Sequence, residues 1–155
     1  MKTILFLIIM ISSSFASYSV VYTDLKLGII QDINTVKDNY FKAELINPVA
    51  KFLLGKSELL YYNDKYKTTK RAKEIDYKKD RYYIIEIIKR SIMNNLEEGK
   101  IFISDNKYID IQKDDNYKFK YISNGKIKSY GTINIENSEL ISLIDEKNRV
   151  RIIKD

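Results

Sequence analysis

The chain contains no histidine and no cysteine among its 155 residues, so its reactive groups are carboxylates, lysines, tyrosines and hydroxyls. Without imidazole there is no ready acid–base group near neutral pH, and no Ser-His or Cys-His pair. Without thiols there are no disulfides, no Fe–S clusters and no Cys/His zinc sites. Catalysis would fall mainly to paired carboxylates. Glu86 is a candidate because it interrupts an isoleucine-rich run, yet on a helix it lies off the apolar stripe and reads as solvent-facing. The acidic segment Asp105 to Asn116 (DNKYIDIQKDDN) fails as an EF-hand. Lys107 takes the place of the third-position oxygen ligand, the glycine is missing, and Asn116 replaces the bidentate Glu. An irregular Ca²⁺ site from Asp105, Asp114 or Asp115 competes with a simpler reading, in which these acids mark two β-turns. The expectation is a non-enzymatic protein with no catalytic residue, no metal and no cofactor.

A different chemistry is concentrated in residues 65–81. Lys65, Lys67, Lys70, Arg71, Lys73, Lys78, Lys79 and Arg81 stand there against only Glu74, Asp76 and Asp80, in a chain whose whole net charge is +6. The sequence is rich in Ile (26), Lys (22), Tyr (13) and Asn (12), all written with A/T-rich codons. Base composition accounts for how many lysines there are, but not for their clustering. Tyr66 and Tyr77 interleave with the charges, and Tyr61, Tyr62, Tyr82 and Tyr83 flank them. Such a stretch attracts an anionic polymer or surface and offers rings for stacking. The competing reading is a solvated hairpin or loop, since basic runs are usually surface.

The first residues look like an address. Lys2 is followed by the apolar run Ile4 to Ile11 and then by small polar residues, with Ser14 and Ala16 at the −3 and −1 positions of a cut before Ser17. This layout predicts a cleaved signal peptide over 1–16. Eight helical residues rise only about 12 Å, far less than a bilayer core, so an anchor is the poorer reading. The rest of the chain, 17–155, has no apolar stretch long enough to span a membrane, and reads as one small β-rich domain or as two sub-modules split near 63–79.

Few glycines, one proline and abundant isoleucine and tyrosine favour a mainly β (α+β) fold, as a small antiparallel barrel or meander sheet. Short strands are predicted at 18–23, 25–31, 40–46, 49–54 and 57–62, with Gly28 at a bend or close approach, a loop at 32–39, and a turn at Asn47-Pro48. One central helix is expected over about 80–97. Its stripe would be Ile84, Ile88, Ile92 and Leu96, with Ile85 and Met93 beside it, capped by Asp76 or Asp80 and ended by Gly99. The last third reads as a meander: strands at 100–104, 107–112, 117–122 and 126–135, a helical turn at 138–145 capped by Asn137 or Ser138, and a closing strand at 149–153. Asn124-Gly125 is the strongest hairpin signal. A two-residue loop there sets Ile122 opposite Ile127, Tyr121 opposite Lys128 and Phe119 opposite Tyr130. Tyr117, Phe119, Tyr121 and Tyr130 would then share one face, either as core or as a stacking platform for sugars or bases.

The functional expectation is an exported envelope protein, periplasmic or secreted, that binds an anionic envelope polymer or lipid through residues 65–81. The export signal argues against nucleic acid as the partner. Two alternatives stand beside it. One is a protein-interaction module, such as an inhibitor, adhesin or accessory subunit of an envelope complex. The other is a carboxylate-dependent glycan hydrolase, which needs two acids facing across a cleft.

Overall fold

The structure, a computed structural model, describes residues 17–54, 58–62, 65–68, 71–76 and 83–155. The leader expected at 1–16 lies outside the described residues. Hairpins follow one another along the chain and build two antiparallel meanders. The first comprises β1 (Tyr18–Tyr22), β2 (Leu25–Ile30), β3 (Tyr40–Leu45), β4 (Glu58–Tyr62), β5 (Lys65–Thr68) and β6 (Arg71–Asp76). The second comprises β7 (Gly99–Ser104), β8 (Lys107–Lys113), β9 (Tyr117–Ser123), β10 (Lys126–Glu136), β11 (Glu139–Asp145) and β12 (Val150–Lys154). β1 pairs with β12, which joins the two into one twelve-stranded sheet of order β6-β5-β4-β3-β2-β1-β12-β11-β10-β9-β8-β7. The end strands β6 and β7 are not paired with each other, so the fold is mainly β and the sheet is open, a meander rather than a barrel. Within 63–79, where the two-module alternative set its boundary, the described residues supply β5 and β6 to the same sheet.

The helix α2 (Tyr83–Ile92) lies on one face of this sheet, where it packs on β11 and on a 3-10 turn at Ile33–Asp38. Tyr83, Ile87, Ile88, Ser91 and Ile92 are its buried residues, and they meet Ile109, Ile111, Phe119, Ile133 and Leu143 of the sheet. The helix ends at Ile92, short of the expected 97. Ile88 and Ile92 of the expected stripe are buried, Ile87 is buried as deeply as Ile88, Ile84 is half-buried against the core, and Met93 faces solvent. Asn94, not Gly99, ends it: Asn94 adopts φ 54°, its N–H donates to Ser91 O, and the Asn95 N–H donates to Arg90 O. These bonds satisfy carbonyls that the last turn leaves open. Leu96 still reaches the core from the segment beyond. Of the two expected caps, Asp76 ends β6 and Asp80 lies outside the described residues.

Three local expectations are overturned by capping and turn chemistry. Residues 49–54 form not a strand but the helix α1 (Pro48–Leu54). Asn47 caps it, its side-chain oxygen accepting from the Ala50 N–H at 3.0 Å, and Pro48 takes the first helical position, where its missing N–H costs nothing. Residues 33–38 are a 3-10 turn rather than a loop, started by Asp32 accepting from the Asn34 N–H and stopped by Asn39 in the left-handed region. Ile33 and Val36 plug it into the core. Residues 139–145 are β11 rather than a helical turn, because Asn137 and Ser138 both take positive φ and close a tight hairpin instead of capping a helix.

Two glycines sit where backbones crowd. A Cβ on Gly28 would lie 2.4 Å from Glu44 O, as the close-approach reading expects, and one on Gly131 would lie 1.7 Å from Ile144 O. Asn124 and Gly125 do form the hairpin loop, both with positive φ. Beyond Ile122–Ile127, however, Lys128 is an extra residue in the ladder. Ser129 therefore opposes Tyr121, Tyr130 opposes Lys120, and Gly131 opposes Phe119. Phe119 and Tyr121 stay on the helix-covered face with Ser129, while the bulge turns Tyr130 to the other side. The expected four-aromatic row is thus split.

Candidate functional site

The basic window falls partly within the described residues. Lys65, Tyr66 and Lys67 belong to β5, and Arg71 and Lys73 to β6, so the pairing of β5 with β6 brings these stretches together at one end of the sheet. Lys70, Tyr77, Lys78, Lys79 and Arg81 lie outside the described residues.

The acids considered for chemistry are distributed, not convergent. Asp105 lies in the β7–β8 turn, whereas Asp114 and Asp115 lie in the β8–β9 connection, at the opposite end of β8. Seven strand residues separate these ends by about 20 Å, so Asp105 cannot share an ion with the other two. Asp114 pairs with Lys118 at 2.7 Å. Glu86 accepts from Arg90 one helical turn on, also at 2.7 Å, at the partly exposed edge of α2. It is a helix-surface ion pair.

The one wholly buried carboxylate, among the described residues, is Asp145 at the end of β11. Its Oδ2 accepts from the Tyr83 hydroxyl at 2.5 Å and from Asn148 Nδ2 at 2.8 Å, and its Oδ1 accepts from the Asn148 N–H at 3.0 Å. Tyr121 stacks on Tyr83 with ring centroids 4.5 Å apart. Burial first, then the bond to Asp145, drive the Tyr83 hydroxyl pKa far above its ordinary value. The buried Ser129 hydroxyl lies close enough to offset part of that rise, but meets hydrogen-bond geometry with no described group. This cluster fastens the start of α2 to the sheet. Asp145 itself is wholly buried, and the cluster reads as structural. No sequence signal marked it, because its members come from residues 83, 129, 145 and 148.

The open face of β7–β10 is different. Register places Lys100, Asp110, Lys120 and Tyr130 in one row across four strands, and Gln112, Lys118 and Thr132 in the next. Between these rows runs a groove of about 300 Å³ lined by Asp110, Gln112, Lys120, Tyr130, Thr132 and, from the turn after β11, Glu146. The Tyr130 ring is 43% exposed there. Nearer the Asn124-Gly125 turn, Phe102, Tyr108, Ile122 and Ile127 make an apolar row, with the Phe102 and Tyr108 rings 5.7 Å apart and the Lys100 ammonium 4.9 Å above Tyr108. Phe102, on the end strand β7, is 67% exposed. A second hollow of similar volume lies beyond the C-terminal end of α2, between Asn94, Lys113, Asn116, Tyr117 and Ser138.

Comparison with known proteins assigns none of these features. No family model, no curated protein and no solved structure matches the chain. Among the described residues, no helix is long and apolar enough to cross a membrane.

Proposed function

We propose that this chain is an exported, non-enzymatic protein of the cell envelope, periplasmic or secreted, that binds an anionic polymer or lipid surface through residues 65–81. The observation that carries the reading is the pairing of β5 with β6. It gathers Lys65, Lys67, Arg71 and Lys73 onto adjacent strands at an end of the sheet. The leader-like sequence at 1–16 supplies the compartment and restricts the anions to those of an envelope. Attraction of this kind is screened by salt. Sedimentation with vesicles rich in anionic lipid, or with a phosphate-bearing envelope polymer, is expected to fall steeply as salt rises. The triple substitution Lys70→Glu, Arg71→Glu, Lys73→Glu should abolish it, and unchanged binding by that variant ends the proposal.

Protein recognition is the second reading, and a specific feature favours it: the end strand β7 carries the exposed Phe102 at the head of the apolar row. An open strand edge beside apolar side chains suits an added strand from a partner. Such a complex should survive high salt and weaken on Phe102→Lys, which separates the two readings.

A further inference from the structure

We propose that the groove on the open face of β8–β10 binds an uncharged pyranose chain, with Tyr130 as its stacking surface. This is a second site, distinct from the basic hairpin, and it does not depend on the anionic reading.

The bulge at Lys128 decides which side Tyr130 faces. Without Lys128 as an extra residue, Tyr130 would fall on the face under α2; with it, the ring lies on the solvent side opposite Lys120. The Tyr130 ring, 43% exposed in the middle of the sheet, thus offers a flat apolar face with a polar tip to the solvent side. The groups around it have a particular composition. Asp110 and Glu146 accept, Lys120 donates, and Gln112 and Thr132 do both. Among the described residues, no hydrogen bond or ion pair engages the side chains of Asp110, Lys120 or Glu146, so their bonding capacity is directed outward.

A pyranose ring matches this set. Its rim hydroxyls each donate and accept, and its faces carry C–H groups that lie flat on an aromatic plate. Charge supports an uncharged ligand. The two carboxylates offset Lys120 and the neighbouring Lys118, which is itself held by Asp114. A polyanion would find no net attraction here, in contrast to residues 65–81. The volume, about 300 Å³, lies at the small end of ligand sites and limits the contact to a short segment of chain.

Saturation-transfer NMR on the purified protein with cellotriose, maltotriose and tri-N-acetylchitotriose tests this directly. At least one trisaccharide should receive saturation, mainly at ring C–H protons, and its affinity should hardly change up to about 0.5 M salt. Tyr130→Ala should weaken that binding about ten-fold or more, Tyr130→Phe should stay within about three-fold of the parent, and Asp110→Asn should weaken it about three- to ten-fold. Melting temperatures close to the parent will show that the variants are folded. The proposal is overturned if none of the three sugars receives saturation, or if Tyr130→Ala binds as the parent does. It is also overturned if binding vanishes with salt and in the Lys70→Glu, Arg71→Glu, Lys73→Glu variant, which would move the contact to the hairpin. Retained sugar binding in that variant supports the groove whatever becomes of the anion reading.

Discussion

Strands β8, β9 and β10 present two faces that are specified in opposite ways. Under α2, Ile109, Ile111, Phe119 and Ile133 are almost completely buried, and the constraint on each is volume. The Phe119 ring lies against Gly131, where a Cβ would already touch Phe119 Cε1 at 3.0 Å and collide with Ile144 O. On the open side the same strands carry the row Lys100, Asp110, Lys120 and Tyr130, whose constraint is alternating charge and access to water. The lesson is that the fold and the binding surface are written into the same strands at alternate positions. Substitutions on one face should therefore change stability, and those on the other should change only what the protein binds.

The sharpest test of that separation is Phe119→Ala, which empties a fully buried aromatic site. It is expected to lower unfolding free energy by about 4 kcal/mol in urea titration. Gly131→Ala should follow at about 3 kcal/mol, because the obstacle is a backbone carbonyl that no rotamer change relieves. Tyr83→Phe should cost about 1–2 kcal/mol, since buried Asp145 keeps the donors of Asn148 but loses the hydroxyl.

Alkaline pH probes the same face without mutation. The Tyr18 hydroxyl donates to Leu140 O at 2.5 Å, and burial, reinforced by Glu139, raises its pKa from 10.0 to about 12. The folded state thus holds this proton more tightly than the unfolded chain. Its contribution is fully present below pH 10, and is lost as pH rises from 10 towards 12. Tyr18→Phe should flatten that part of the pH–stability curve. The smallest effect belongs to the open face: Lys120→Ala should shift stability by no more than about 0.5 kcal/mol. A loss comparable with that of Phe119→Ala would break the comparison.

Much of this architecture was legible where alternation and turn chemistry agree. Residues 99–136 show both, and the Asn124-Gly125 hairpin forms as its sequence implies. Elsewhere the signals were present but ambiguous. Asn47-Pro48 reads equally as a turn or as a cap followed by the first helical residue, and a run such as VAKFLL fits a strand or a short helix. Asn94 ended α2 before Gly99 because asparagine also tolerates the left-handed region, and hydrogen bonds to Ser91 and Arg90 were available to it. The bulge at Lys128 had no local signature. Its effect was large, because one extra residue reversed the facing of Tyr130 and thereby made the groove. That site unites residues 110, 112, 120, 130, 132 and 146, a set that only strand register brings together.

The pairing of β1 with β12 also governs the order of assembly. Residues 18–22 leave the ribosome long before their partners at 150–154 are made. Each meander can zip through local hairpins within microseconds, whereas the central seam must wait for a long loop to close. During that interval Tyr18–Tyr22 shows an unsatisfied row of amides, a surface on which a nascent chain can mispair or a chaperone can hold it.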